Sequence, residues 1–449
     1  MKHQLLLAFT CLVIGVSALY SQDTMNKAVM KISLEQAKEY AYKNNYDVIN
    51  AMKDIEIARK QMTEATATGL PQVSASVAYN NFLSIPTQLI PGEFFGEEPG
   101  TFIPVKFGTQ HNMTLSGTVN QLIFSGEYIV ALQATKAFIN MSNKQYEKQV
   151  IELEKNVSES YYLVLIAERN LKIVEETLQS LTEIRDANAV LFENGFVEDL
   201  DVDQTDLLLT DLQATLINIR NNLDVSKNLL KFQMGLKLEN EIELTDNLDV
   251  FLDQIERDVL VETEFNYNNN IDYQILLNQQ ELAHLNMKRF NSQYLPRLYG
   301  YLTYSENAQR NEWNFLESNQ DWYNSSILGV QMDIPIFQSG ARSSRVSQAK
   351  IQMEKLDVMG DKLRSGLDIQ YATYRNNFIN SWKVYKNKEQ ALQLSDKIYN
   401  RTKTKVIEGV SSSIELQQNY NQYLNSEREY IMAMLELLVT KLELDKLTR

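Results

Sequence analysis

The sequence predicts a mainly helical chain with a smaller β component, built as two copies of one helix-strand-strand-helix unit. Three observations carry this: residue matches at two constant offsets, a pair of alternating apolar/polar segments in each copy, and apolar residues spaced four and three apart over very long stretches.

The offsets define the duplication. Asp47, Glu56, Ala58 and Pro71 recur at an offset of 225 as Asp272, Glu281, Ala283 and Pro296. Lys136, Gly195 and Gln204 recur at an offset of 214 as Lys350, Gly409 and Gln418, with Asp201 matched to Glu415. The offset changes between Pro71 and Lys136, where the first copy has a longer Pro-rich segment. The expected organisation is a leader over 1–22, a first repeat over 23–246 and a second over 247–449.

The leader reading rests on Lys2 and His3, an apolar run from Leu5 to Leu19, and small or polar residues around Ser17, Ala18, Ser21 and Gln22. Ala8-Phe9-Thr10 ahead of Cys11, the one cysteine, is a poor lipoprotein-processing signal. No later window has the roughly 18 to 20 uninterrupted apolar residues of a spanning helix. A mature chain without cysteine has no disulfide framework and no thiolate chemistry, so packing must hold it. The net charge of −15 and pI near 4.9 exclude a nucleic-acid partner, which needs clustered Lys and Arg.

The first helix is expected from about Ser33 to Thr68, opened by the capping-box spacing Ser33-Leu34-Glu35-Gln36; its counterpart covers about Asp272 to Gln293. After Leu70-Pro71, Val73, Ala75, Val77 and Tyr79 alternate with polar or small residues, and Leu298, Gly300, Leu302 and Tyr304 do so after Leu295-Pro296. In the returning strand Met113, Leu115, Gly117 and Val119 oppose Thr114, Ser116, Thr118 and Asn120. In the second copy Leu328, Val330, Met332 and Ile334 oppose Gly329, Gln331 and Asp333, with Pro335 at the end.

Period two also fits a soluble sheet. Secretion, together with aromatics crowding the strand ends (Phe82, Phe124, Trp313, Trp322, Tyr323, Phe337), shifts the reading to a membrane barrel. Four strands cannot close a barrel, and open edges are forbidden in lipid. Three chains giving four strands apiece would close one of about twelve. Its lumen candidates are Thr114, Ser116, Thr118, Asn120, Gln331 and Asp333.

From Gly126 to Gly195, and from Gly340 to Gly409, the separation is 69 positions in both copies. Tyr146, Val150, Leu153, Val157, Ser160, Val164, Ala167, Leu171, Val174, Leu178 and Leu181 form a coiled-coil seam on a helix of roughly 100 Å. Gly195 and Gly409 suit the left-handed close of a helix, after which the chain returns along seams such as Leu209, Leu212, Leu216, Ile219 and Leu416, Tyr420, Tyr430, Met434.

This order of elements, with Leu70-Pro71 and Leu295-Pro296, Ile123-Phe124-Ser125-Gly126 and Ile336-Phe337-Gln338-Ser339-Gly340, and the two Gly turns, resembles the TolC family of outer-membrane efflux channels. The resemblance implies paired helical hairpins forming a tunnel across the periplasm of a Gram-negative bacterium, a homotrimer, and a 12-stranded barrel in outer-membrane lipid. It also implies docking of the tip turns (Asn194, Gly195, Phe196; Glu408, Gly409, Val410) to a periplasmic adaptor and an inner-membrane transporter. In the family an acidic ring narrows the entrance six and nine positions after the second Gly turn; here these are Glu415 and Gln418, so the second departs. Glu415, with Asp201 and Asp203 in the first copy, is the entrance candidate. The alternative is that these carboxylates simply complement the positive ends of the returning helices.

No enzyme or cofactor site is expected. Asp199, Asp201 and Asp203 have calcium-loop spacing, but Gln204 and Thr210 stand where the glycine and bidentate Glu belong. His111 and His284 lie far apart without neighbouring ligands. The rival to an export channel is a secreted coiled-coil structural or adhesion protein without a pore.

Overall fold

The computed structural model describes residues 29–258 and 265–449. The expected leader over 1–22, with Cys11, lies outside the described residues.

The chain runs β1 (Met30–Ile32), α1 (Leu34–Asn44), α2 (Tyr46–Ala67), β2 (Gln72–Asn81), β3 (Thr87–Pro91), β4 (Phe102–Lys106), β5 (His111–Phe124), α3 (Gly126–Glu193) and α4 (Asp199–Met234). It continues through β6 (Ile242–Leu244), α5 (Leu248–Asp258), α6 (Ile271–Ser292), β7 (Arg297–Arg310), β8 (Tyr323–Asp333), α7 (Ala341–Ile407) and α8 (Ser413–Thr448). The domain division expected at 246/247 falls between β6 and α5.

The first helix opens as its sequence dictates, with Gln36 N–H donating to Ser33 Oγ at 3.3 Å and Ser33 N–H to Gln36 Oε1 at 3.0 Å. It is not continuous to Thr68, however. Asn45 leaves the helical region (φ −65°, ψ 134°) and starts a second helix, its Oδ1 accepting from Asp47 and Val48 N–H at 2.9 and 3.2 Å. Its Nδ2 donates to the Gln233 carbonyl at 2.8 Å, tying this break to the end of α4.

The second copy repeats the device. Asn270 caps α6 through Asp272 and Tyr273 N–H, and its Nδ2 donates to the Leu447 carbonyl at 3.0 Å. The two asparagines are separated by the first offset of the repeat, and their carbonyl partners Gln233 and Leu447 by the second. Both asparagines are buried. Asn45→Ala and Asn270→Ala should each cost about 2 kcal/mol, from a lost cap and a carbonyl left without its side-chain donor. A thermal melt of each variant measures it, and a loss below a few tenths would contradict the assignment.

Two small elements frame the first copy. β1 pairs in parallel with β6, Lys31 facing Glu243. Beyond β6, Asp246 Oδ2 accepts from Leu34 N–H at 2.7 Å and lies 3.0 Å from the hydroxyl of fully buried Tyr161. The α5 residues Leu248, Leu252 and Ile255 join the same core.

The long helices pair as expected, α3 with α4 and α7 with α8. At 1.5 Å per residue, the 68 and 67 residues of α3 and α7 each extend about 100 Å. The seam is the core: Leu153, Val157, Val164, Leu230, Met434 and Leu437 in one cluster, and Val174, Leu181, Leu209, Leu212, Leu416 and Tyr420 in a second nearer the turns. Each such buried side chain stabilises by roughly 1.5–3 kcal/mol.

Four strands form one antiparallel sheet in the order β2-β5-β7-β8, so the central pair β5-β7 joins the two copies. The longer first-copy connection, expected from the change of offset, holds the extra hairpin β3-β4, with Ile90 facing Ile103.

Candidate functional site

The sheet has two chemically distinct faces. One carries Val73, Val77, Leu115, Val119, Leu302, Leu328 and Val330, brought side by side by the registers Val73↔Val119↔Leu302↔Leu328. Val73 is 77% exposed and Leu328 82%. The other face is a hydroxyl ladder: Ser76, Ser116, Ser305 and Ser325 stand in one row across all four strands. Ser76 and Ser116 bond at 2.8 Å, as do Ser305 and Ser325. Thr118 and Thr303 bond at 3.2 Å, and Thr114 donates to Asn307 at 3.0 Å.

The lumen candidates Thr114, Ser116, Thr118, Asn120, Gln331 and Asp333 all lie on this polar face, where Gln331 Nε2 donates to Asp333 at 2.9 Å. Sequence reasoning missed Ser305, Thr303 and Asn307, although period two in β7 contained them.

Among the described residues no helix layer covers either face. A sheet in water needs its apolar face buried against a second layer. An apolar band on one side and hydroxyls on the other instead suit a wall between lipid and a wet lumen. Among the described residues the outer edges of β2 and β8 pair with no further strand. No described helix is long and apolar enough to cross a membrane.

The far end of the helices holds the two turns. Gly195 and Gly409 take φ of 78° and 73°, and Phe196 and Val410 beyond them are exposed. The turns sit together: Asn188, buried in α3, donates to Thr205 Oγ1 at 3.1 Å and to Ser413 Oγ at 3.4 Å. Asp201 Oδ1 accepts from Ser413 N–H at 3.3 Å while its Oδ2 accepts from Glu198 N–H at 3.3 Å. Asp201 therefore caps its own helix and the start of α8 together. The second copy swaps the Asn/Thr pair, with Asn419 donating to Thr402 at 2.8 Å.

Glu415 is exposed in the first turn of α8, where its N–H donates to Ser412 Oγ at 3.3 Å and its carboxylate accepts from the Ser411 hydroxyl. Asp203 and Gln418 are exposed on the same returning helices. The structure thus brings Asp201 into the contact between turns and leaves Glu415, Asp203 and Gln418 on the surface near it.

Among the described residues, one carboxyl group is buried inside the bundle. Glu427 of α8 is 4% exposed, its Oε1 has no hydrogen-bond partner, and burial pushes its carboxyl up to about 7. Arg169 from α3 opposes that rise and Asp396 from α7 adds to it. Because the folded carboxyl holds its proton more tightly than the unfolded one, stability falls as pH rises from about 4.5 to 7 and the full cost stands above that window. Glu427→Gln should therefore raise stability at pH 8 by up to about 3 kcal/mol and leave it unchanged at pH 4. Melting curves at the two pH values check this; equal effects at both would contradict it.

No group of three His, Cys, Asp or Glu side chains among the described residues could hold a metal. His111 Nδ1 instead meets the Tyr79 hydroxyl at 2.9 Å at the outer end of the sheet.

A family model described as Outer membrane efflux protein matches residues 39–236 and 276–448. The alkaline protease secretion protein AprF of Pseudomonas aeruginosa is 23% identical over 336 residues, spanning 74% of this chain and 66% of that protein's length. Among solved structures, CusC superposes with a TM-score of 0.70 at 14% identity, covering 92% of this chain and 91% of the other. The open state of the Neisseria gonorrhoeae MtrE outer membrane channel superposes at 0.69, also at 14% identity, over 92% and 88%.

Proposed function

Because the chain belongs to the outer membrane efflux protein family, we propose that it is the passive conduit of an export system, a homotrimer whose β-sheets close a 12-stranded barrel in the outer membrane and whose helices form a periplasmic tunnel. The observation that carries this is the uncovered sheet: apolar on one face, a serine and threonine ladder on the other, unpaired at both edges. Only other copies supplying strands remove those edges in lipid. A pore-free filament has no use for such a sheet.

The tunnel performs no chemistry, so energy would come from an inner-membrane transporter linked through a periplasmic adaptor. The exposed Phe196 and Val410 at the tip, with Asn194, Gly195, Glu408 and Gly409, are the apolar contact offered to that adaptor. Three copies of Glu415 and Asp203 near the tip would place a negative field at the entrance that favours cations. AprF is named for secretion of a protease, which makes polypeptides one cargo class to try.

Outer-membrane fractionation followed by mass measurement in detergent tests the reading. A membrane-bound species of three chains is expected; a soluble monomer would sink it. Glu415→Gln should lower cation preference in a conducting channel, and unchanged preference would assign the side chain to the α8 N-terminus alone.

A further inference from the structure

The apolar interior of the long bundle is interrupted. On α8 one cluster starts at Tyr430 and runs through Met434 and Leu437, while the other ends with Leu416 and Tyr420, flanked by Tyr423 and Leu424. On α7 the same gap falls between Leu392 and Tyr399. The layer in the gap is polar, with Ser395, Ser426 and Glu427 all buried in it. Arg169 occupies the corresponding stretch of α3, between Ile166 and Val174.

Arg169 joins this layer to the short helix packed outside it. Its Nη1 donates to Asp249 Oδ1 of α5 at 3.1 Å, and its guanidinium carbon stands 5.7 Å from the centre of the Tyr430 ring. Tyr430 follows Glu427 by three positions on α8, a spacing that makes side chains neighbours on a helix. The guanidinium therefore lies within reach of both carboxylates. Beside it is a cavity of about 250 Å³ walled by Arg169, Asp249, Trp382, Tyr385 and Tyr430, which leaves the guanidinium room to turn. The Trp382 Nε1 is buried without a hydrogen-bond partner.

We propose that Arg169 is a cation shared by two carboxylates, binding Asp249 while Glu427 is protonated and turning to Glu427 when that group ionises, so that α5 loosens from α3. Burial decides the direction of exchange. The Asp249 side chain is 63% exposed, so its pair with Arg169 is screened by water and adds little to stability. Glu427 is 4% exposed and its Oε1 has no partner, so an ionised carboxylate left there alone would be far more destabilising than the loss of an exposed pair.

The groups around Glu427 fit this role. Arg169 of α3 favours its ionised form, and Asp396 of α7 opposes it. Burial keeps Tyr420 and Tyr423 of α8 and Tyr399 of α7 protonated, so they add no charge to the layer. Glu429 on the same helix is held by Lys388 of α7 at 2.7 Å. Asp211 of α4 acts on Tyr420 and Glu176 of α3 on Tyr423, one step further from Glu427. Because burial pushes the Glu427 carboxyl up to about 7, the exchange is centred near neutral pH. Leu248, Leu252 and Ile255 keep α5 anchored in the core throughout, so it loosens without leaving. This response belongs to the helical bundle and holds whether or not the chain forms a channel.

Hydrogen exchange of the full chain in detergent, corrected for the intrinsic pH dependence of exchange, reads the loosening of α5. Its amides should be several-fold less protected at pH 8 than at pH 6. Glu427→Gln should abolish the difference, whereas Glu415→Gln, on the exposed start of α8, should leave it intact. Trp382 gives a second readout: with Trp313→Phe and Trp322→Phe it is the one tryptophan left, and its emission should change with a midpoint near pH 7. Asp249→Asn removes the competing carboxylate and should lower that midpoint. Arg169→Gln removes the shared cation and should raise it, each by about one pH unit, a tenfold change in proton affinity. No transition in the parent chain, a pH response that survives Glu427→Gln, or a midpoint moved by neither Asp249→Asn nor Arg169→Gln would overturn the exchange.

Discussion

Gly235→Ala is expected to lower the stability of the chain by roughly 3–5 kcal/mol. Gly235 closes α4 with φ 69°, where Leu236 N–H donates to the Lys231 carbonyl at 2.8 Å. A Cβ there would stand 2.1 Å from the Asn44 carbonyl oxygen and 2.6 Å from its carbon, backbone atoms held by the break between α1 and α2. Neither a rotamer change nor a side-chain shift relieves that clash. Gly409→Ala separates the two causes: its φ of 73° is similar, but nothing lies within 4 Å, so only the left-handed strain of about 1–2 kcal/mol remains. Denaturation midpoints of the two variants read the difference. Equal losses would mean that α4 does not abut the α1–α2 break as described.

The second large effect concerns the tip and rests on the proposed channel. Asn188→Ala combined with Asp201→Ala removes the bonds that hold the α3–α4 turn against the start of α8 within a chain: Asn188 to Ser413 Oγ and Asp201 to Ser413 N–H. Hydrogen bonds of this kind are each worth about 1 kcal/mol, so losing two should shift an equilibrium between joined and separated turns by about tenfold or more per chain. The expected result is a raised single-channel conductance with an unchanged melting temperature of the β-sheet. Unchanged conductance would place the constriction elsewhere.

Much of this architecture is legible from patterning because its core is linear. The seam through Leu153, Val157, Val164 and Leu181 is local spacing on one helix, and spacing is what a sequence displays directly. The strand faces were equally plain, since Thr114, Ser116, Thr118 and Asn120 need only alternation to reach one side. The break at Asn45 was not, because helical periodicity runs through it on both sides. Its signal was Asn45-Tyr46-Asp47, a cap followed by an acidic first turn, which recurs as Asn270-Ile271-Asp272. β1 and β6 could not be read, being three residues each and stabilised only by pairing across the whole first copy.

The candidate site divides the same way. Glu415 and Asp201 are matched in sequence, yet only the approach of the two turns shows that Asp201 is held by Ser413 while Glu415 faces solvent.

Conductance of the purified, detergent-extracted protein in a planar lipid bilayer tests the central claim most directly. The account predicts discrete current steps from a species of three chains, with a preference for cations that falls in Glu415→Gln. A protein that inserts without passing current, or that stays a soluble monomer, would contradict it.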